Sequence, residues 1–110
     1  MFVLVNQIKN DMIFKTLHNV PIEDLAEVFN EAFKNYFVNI HFTPEQLVAK
    51  FKVDGVKLKL SVGAFDNNKL VGFIFHGTNE EATNLIAYNA GTGVIPEYRG
   101  QHLTEKMYTF

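Results

Sequence analysis

The residues best suited to chemistry lie close together near the end of the printed sequence, in the run Gly93-Val94-Ile95-Pro96-Glu97-Tyr98-Arg99-Gly100-Gln101-His102-Leu103-Thr104. The pattern predicts a buried strand over Leu85 to Ile95, a turn at Pro96 and an amphipathic helix that opens at Arg99. A turn flanked by glycines that leads into a helix presents unpaired backbone N–H groups and the positive end of the helix dipole. The run therefore predicts a phosphate-binding site.

Other reactive groups are scarce in this sequence. The absence of cysteine excludes disulfides, thiol nucleophiles and thiolate metal sites. The four histidines are widely spaced, and no predicted helix pairs two of them at metal-ligand spacing, so we expect no metal. Ser61 is the only serine and lies in no nucleophile elbow. Glu81 and Glu97 flank the strand over Leu85 to Ile95, which itself carries no acid, and the catalytic residues stay unknown.

The elements that must position this run begin with a strand predicted over Met12 to Leu17. A helix follows from Pro21, because proline suits a first helical turn and because apolar residues then recur every three or four positions. Those residues are Ile22, Leu25, Ala26, Phe29, Phe33, Tyr36, Phe37 and Ile40. A second helix begins at Thr43, which forms a predicted capping box with Gln46, and it ends at Asp54-Gly55.

A hairpin precedes the last strand. Alternating residues predict a strand over Lys57 to Phe65, and Leu70 to His76 forms a more fully apolar one. Asp66-Asn67-Asn68-Lys69 is the turn between them, and a polar connection runs from Thr78 to Asn84. The order is strand, two helices, three strands and a helix. We therefore expect an α/β fold of the α+β type, with a mixed, mainly antiparallel sheet flanked by helices.

Composition limits the class of protein. The 110 residues are 47% hydrophobic and 14% aromatic, which indicates one folded domain with a modest core. A net charge of −2 without a basic stripe argues against nucleic acid as a partner. No stretch is long enough to span a membrane, and the lack of cysteine fits a cytoplasmic location. We expect residues 1–11 to be a leader or flexible segment and residues 12–110 to form part of a single domain.

The run at the end of the sequence resembles the pyrophosphate-binding turn of the GNAT superfamily of N-acetyltransferases, which bind acetyl-CoA. The family motif is Arg or Gln, two residues, Gly, one residue, then Gly or Ala. Arg99 occupies the first position and Gly100 follows it, whereas His102 and Thr104 stand where the family has glycine and glycine or alanine. The order of elements is also that of the N-terminal half of a GNAT domain, and the resemblance covers roughly Met12 to Phe110.

The resemblance implies a cofactor site, with acetyl-CoA as co-substrate and no metal. Backbone N–H groups of the loop would bind the pyrophosphate of CoA, and the strand before it would pair with the pantetheine arm. The residues implied are Thr92, Gly93, Val94, Arg99, Gly100, Gln101, His102, Leu103 and Thr104. Acceptor contacts are implied at the first two helices and their connection, at Tyr36, Asn39 and His41.

The resemblance implies direct transfer of an acetyl group to an amine of a small molecule or peptide. A non-catalytic module that binds or senses acyl-CoA is the alternative, and it fits the strand that lacks a carboxylate. A small interaction domain in which the glycines serve only the turn stays open, as does a homodimer. Because the sequence stops within an uncapped helix, we expect a truncated chain that is itself inactive.

Overall fold

The computed structural model describes residues 12–34, 40–78 and 87–110. In this part of the chain the elements follow the predicted order. They are β1 (Met12–Thr16), α1 (Ile22–Phe33), α2 (Pro44–Asp54), β2 (Val62–Asp66), β3 (Lys69–Thr78), β4 (Ala87–Val94), a 3-10 turn (Pro96–Tyr98) and α3 (Leu103–Tyr108). The predicted leader, and most of the predicted connection before β4, lie outside the described residues.

The four strands form one antiparallel sheet in the order β1-β2-β3-β4, so each strand pairs with its neighbour in the sequence. Phe73 on β3 stacks against Phe29 of α1, and Phe75 meets Phe51 of α2. Residues of the opposite parity face the other way, because side chains alternate along a strand. Helix α3 packs on this second face, where a Cβ at Gly72 would lie 3.4 Å from the Met107 side chain, and the predicted sheet flanked by helices is confirmed.

The core between the sheet and the first two helices is aromatic. Phe73 and Phe75 are almost fully buried, and their ring centroids lie 4.5 Å apart. Phe29 lies 5.9 Å from Phe73 and also stacks on Phe42, with centroids 5.3 Å apart. These contacts fix α1 and the segment before α2 against strand β3.

Helix α1 is shorter than its apolar spacing predicts. It ends at Phe33, and Ile40 lies in an irregular segment, so the extension of the helix to Ile40 was wrong. Asn30 of α1 binds this segment, because its side chain donates to the carbonyl of Phe42 and accepts from the N–H of Phe42, both at 2.8 Å. The irregular segment is thereby held against the helix.

Helix α2 has the boundaries that its caps predict. Thr43 accepts from the N–H of Gln46 at 3.1 Å, and the Gln46 side chain accepts from the N–H of Thr43 at 2.9 Å, which completes the capping box. Gly55 ends the helix with a φ of +67°, a conformation that glycine adopts without steric cost.

Strand β2 begins at Val62 rather than at Lys57, so the longer predicted strand was wrong. The preceding residues form a turn in which Leu60 N–H donates to the carbonyl of Lys57. Buried Ser61 holds this turn to the sheet, because its hydroxyl donates to the Lys57 carbonyl at 2.9 Å and accepts from the N–H of His76 at 3.0 Å. The hairpin turn lies at Asn67 and Asn68 as predicted, and both residues have positive φ.

Candidate functional site

Strand β4 forms one edge of the sheet and, among the described residues, pairs only with β3. Its residues are exposed or half-buried, so the prediction of a buried strand was wrong. The reason is topological: small apolar residues predicted burial, but an edge strand has a neighbour on one side only.

Every second residue of β4 turns its backbone groups toward the open edge. The N–H of Ile95 donates to the carbonyl of Val71 at 2.9 Å, which marks the pair of Ile95 and Val71 as hydrogen-bonded. In an antiparallel ladder the next pair is not hydrogen-bonded, and its N–H and C=O groups point away from the partner strand. Val94 and Thr92, which pair with Gly72 and Ile74, therefore direct their backbone groups outward.

Gly93 lies between these two residues and faces the aromatic core. A Cβ at this position would lie 2.7 Å from the ring of Phe73 and 3.0 Å from the Cβ of Ala32. Only glycine fits here, and its small size lets β4 approach the face of α1. Gly93 therefore has a steric role in the packing of β4, and its contact with the pantetheine arm stays a prediction.

The register of β4 shifts between Gly91 and Asn89, opposite Phe75 and His76. Such a bulge inserts one extra residue, here Ala90, into the strand. The Asn89 side chain closes the irregularity by accepting from the N–H of Gly91 at 2.8 Å.

Arg99 fastens the end of β4 to helix α1. Its Nε donates to the carbonyl of Val94 at 3.0 Å, and a terminal nitrogen donates to the carbonyl of Ala32 at 2.6 Å. Ala32 lies in the last turn of α1, where carbonyls lack helical partners and the helix dipole favours a cation. Arg99 therefore has a structural role, and its contribution to phosphate binding stays a prediction.

Helix α3 begins at Leu103, four residues later than the predicted start at Arg99. Arg99 is extended, Gly100 has a φ of +83°, and His102 has a φ of +59°. These left-handed conformations prevent a helix from starting at Arg99, and they place the chain so that α3 starts at Leu103. Successive N–H groups in such a loop form a concave surface of the kind that binds anions.

The loop lines a shallow cavity of about 290 Å³ next to the end of β4. Within the described part of the chain, the N–H groups of Leu103, Thr104 and Glu105 donate to no backbone carbonyl. The lining residues are Val94, Tyr98, Arg99, Gly100, His102, Leu103, Thr104 and Glu105. The cavity thus unites most of the predicted loop residues with the open edge of the strand.

Charges around the loop have both signs. His102 Nδ1 lies 3.4 Å from a carboxylate oxygen of Glu105, and both side chains are well exposed. Tyr98 donates to a carboxylate oxygen of Asp66 at 2.5 Å. This hydrogen bond, together with partial burial, raises the pKa of Tyr98 above its usual value.

Of the three predicted acceptor residues, the structure describes His41. Tyr36 and Asn39 lie outside the described residues. His41 lines a groove of about 520 Å³ between α1 and the segment before α2, with Glu23, Glu27 and Glu31 along one wall. None of the predicted cofactor residues lines that groove.

The described residues contain no group of three or more histidine and acidic side chains placed to hold a metal ion. None of their helices is both long and apolar enough to cross a membrane.

The sequence did not identify one part of the site. Tyr108 of α3 lies next to Asn89 and Thr92, and Asn89 donates to the hydroxyls of both. Tyr108 is 19 residues from Asn89, and the sequence around it gave no local signal of this contact.

No family model matches the sequence, and no curated protein matches it. Solved structures do. A GNAT family acetyltransferase from Brucella melitensis in complex with acetyl-CoA aligns with a TM-score of 0.68 and 17% identity over 88% of this chain. The ribosomal-protein-S18-alanine N-acetyltransferase of Escherichia coli aligns with a TM-score of 0.62 and 13% identity over 89% of this chain. The PaiA N-acetyltransferase of Thermoplasma acidophilum, in complex with coenzyme A, aligns with a TM-score of 0.62 and 19% identity over 90% of this chain.

The chain spans 63%, 55% and 68% of the lengths of these three proteins. At such identities the likeness concerns the fold alone. The described chain has the GNAT-like fold that the sequence predicted.

Proposed function

We propose that this chain binds acetyl-CoA along the open edge of β4 and belongs to an enzyme that transfers the acetyl group to an amine. The observation that carries the proposal is the outward direction of the backbone groups of Thr92 and Val94, directly before a loop with free N–H groups. The GNAT-like fold supports it, since two of the aligned proteins hold acetyl-CoA or coenzyme A.

The pantetheine arm of CoA carries amides, which pair with an exposed strand edge as an added strand would. Thr92 offers both an N–H and a C=O to such an arm. Val94 offers its N–H, while its carbonyl is shared with Arg99. The residues at the edge therefore fit the arm.

The loop fits the pyrophosphate for a separate reason. A Cβ at Gly100 would meet nothing within 4 Å, so the backbone is open to a ligand here. We assign phosphate contacts to the N–H groups of Gly100 through Thr104, with Arg99 contributing positive charge. The carboxylate of Glu105 opposes this charge only weakly, because its side chain is 80% exposed.

When bound, acetyl-CoA supplies an acetyl thioester. The protein binds and orients it, and the amine must lose a proton before it attacks. Among the described residues β4 carries no carboxylate, so a general base is not assigned. That same observation supports the second candidate, a module that binds or senses acyl-CoA without catalysis.

The acceptor in the first candidate is an amine of a peptide or a small molecule. One aligned protein is named for acetylating an alanine of a ribosomal protein. His41 stays a predicted acceptor contact, together with Tyr36 and Asn39. Glu31 in the groove at His41 pairs with Lys34 at 2.8 Å, whereas Glu23 and Glu27 suit a cationic amine, because carboxylates attract ammonium groups. A cytoplasmic location and a homodimer also remain predictions from the sequence.

An amide-resolved NMR titration with acetyl-CoA tests the proposal. We expect shifts at Thr92 to Val94 and at Gly100 to Thr104. Release of the free CoA thiol in the presence of peptide amines then separates an enzyme from a binding module. Absence of shifts in a folded chain would reject both candidates.

A matched pair of proline variants sharpens the test. Thr92→Pro removes an N–H at the open edge of β4, and edge strands tolerate proline at such positions. Thr16→Pro does the same on β1, because Leu17 N–H donates to Ser61 and Thr16 therefore faces outward. We expect Thr92→Pro to weaken acetyl-CoA binding about 5- to 10-fold and Thr16→Pro to leave it unchanged. Equal effects from both variants would contradict the assignment to β4.

A further inference from the structure

A polar cluster lies on the α3 face of β4, next to the open edge. It consists of Asn89, Thr92 and Tyr108. The Asn89 amide nitrogen donates to the Thr92 hydroxyl at 2.7 Å and to the Tyr108 hydroxyl. Tyr108 is 55% exposed, so the cluster is accessible from solvent.

The orientation of the Asn89 amide is fixed by its third hydrogen bond. The N–H of Gly91 lies 2.8 Å from the side-chain oxygen of Asn89. A backbone N–H only donates, so the atom that faces it must be the amide oxygen. The NH₂ group therefore faces the two hydroxyls and uses one hydrogen on each.

This arrangement makes both hydroxyl groups hydrogen-bond donors toward a ligand. Both hydroxyl oxygens accept from Asn89, so each hydroxyl retains its own hydrogen for donation. In the described part of the chain, neither the Thr92 nor the Tyr108 hydroxyl has an acceptor for that hydrogen. The cluster thus presents two oriented donors, and the group that it suits is a hydrogen-bond acceptor.

His76 holds the phenol in place. Its Nδ1 donates to the carbonyl of Leu60 at 2.8 Å, which fixes the imidazole. The ring meets Tyr108 edge to face, with centroids 6.2 Å apart. His76 also lies directly across from Asn89 in the sheet, so the cluster is supported by β3 as well as by α3.

We propose that the hydroxyls of Thr92 and Tyr108 form a subsite that donates hydrogen bonds to an amide carbonyl of the pantetheine arm. This assignment rests on the proposed binding of acetyl-CoA. The backbone of Thr92 already faces the open edge where the arm would lie, and the Thr92 hydroxyl stands beside it. Asn89 is then a positioning residue, since it acts on the ligand only through the two hydroxyls.

Two probes and two conservative variants test the subsite. Coenzyme A contains the arm, whereas 3′-phosphoadenosine 5′-diphosphate is its nucleotide part alone. Thr92→Val and Tyr108→Phe each remove one hydroxyl. We expect each variant to bind coenzyme A about 3- to 10-fold more weakly and the nucleotide with unchanged affinity, because one hydrogen bond to the arm is lost. Thr109→Val is the control, since it removes a hydroxyl directly after α3 that donates to the Lys106 carbonyl of that helix.

The outcomes separate this subsite from the proposed function. If the unchanged chain binds coenzyme A and both variants bind it equally well, the subsite is wrong while the proposed function stands. If a variant loses affinity for both probes alike, the hydroxyl serves the structure and the subsite is again wrong. If the unchanged chain binds neither probe, the proposed function fails and the subsite with it.

A measurement on the unchanged protein completes the test without relying on the folding of a variant. We expect intermolecular NOEs between the ring protons of Tyr108 and the methylene protons of bound pantetheine. Their absence in a saturated complex would overturn the subsite.

Discussion

The aromatic layer between α1, α2 and the sheet differs from the open edge of β4 in whether the chain itself supplies the packing and hydrogen-bonding partners of each region. In the layer, Phe73 and Phe75 are covered on all sides by other side chains of the chain itself. At the edge, the backbone groups of Thr92 and Val94 face outward, and the described chain offers no strand to pair with them. The layer is closed within the chain, and the edge is open to a ligand or a further strand.

The two regions meet at Gly93 and at Arg99. Because Gly93 has no side chain, the Phe73 ring of the layer packs directly against its backbone, while the backbone groups of Thr92 and Val94 face the edge. Arg99 joins the carbonyl of Val94 to that of Ala32 in α1. The geometry of the candidate site therefore depends on the packing of the layer, and substitutions in the two regions should have different kinds of effect. Changes to the layer should cost stability, and changes at the edge and loop should mainly affect ligand binding.

The largest effect is expected for Phe73→Ala. Phe73 is fully buried and touches Phe29, Phe33 and Phe75. Loss of the ring leaves a cavity, and we expect the free energy of unfolding to fall by about 3–5 kcal/mol in a urea titration. Phe110→Ala is the control, because Phe110 is 61% exposed and its loss should change stability by less than about 0.5 kcal/mol. Similar losses in the two variants would break the contrast between a closed layer and an exposed surface.

Glycine-to-alanine changes compare the two regions directly. Gly93→Ala places a methyl group 2.7 Å from the Phe73 ring, so we expect a loss of about 1–3 kcal/mol from overpacking. Gly100→Ala meets open space, and its expected cost of about 1 kcal/mol comes from a φ of +83° alone. Thermal unfolding of both variants checks the order. A larger loss in Gly100→Ala would show that backbone strain outweighs packing here.

The elements were predictable where a local signal decided them. The capping box of Thr43 and Gln46 and the asparagine turn at Asn67 and Asn68 depend on neighbouring residues, and both were predicted correctly. The ends of α1 and β2 depend on distant contacts. Asn30 holds Phe42, and Ser61 holds His76, and neither hydrogen bond has a signature in the spacing of apolar residues.

The candidate site was likewise predictable from the sequence only where a local signal decided its geometry. The position of the loop from Arg99 to Thr104 followed from the strand-turn-helix pattern. The start of α3 at Leu103 did not, because it depends on positive φ angles at Gly100 and His102. Contact of Tyr108 with Asn89 depends on how α3 packs, which no local pattern encodes.

A smaller effect is expected for His102→Gly. A non-glycine residue at a φ of +59° is strained by about 1–2 kcal/mol, and glycine relieves this strain while it loses more entropy on folding. We expect a net gain of about 0.5–1 kcal/mol in the free energy of unfolding. The same change removes a bulky side chain from the loop, so acetyl-CoA affinity should rise in calorimetric titration. A loss of affinity would indicate that the imidazole itself contacts the phosphates.

The smallest expected effect concerns Tyr98, which links the loop to the β2–β3 hairpin. This effect on stability can be measured only at alkaline pH. The hydrogen bond to Asp66 is the largest cause that raises the pKa of Tyr98 above 10.0, followed by burial and by the charge of Asp66. Because the folded state holds this proton more tightly than the unfolded state, the stabilisation is complete below the unfolded pKa, near 10, and is lost as the pH rises through the folded pKa.

Asp66→Asn should therefore lower the pKa of Tyr98 in an NMR titration of its ring carbon, and it should reduce the alkaline decline in stability. Asp54→Asn is the control, because the carboxylate of Asp54 pairs with Lys50 and not with Tyr98. If both variants moved the Tyr98 titration equally, the general charge of the protein rather than the contact with Asp66 would set its pKa. The loop would then have no specific tie to the β2–β3 turn, and its geometry would depend on Arg99 and the aromatic layer alone.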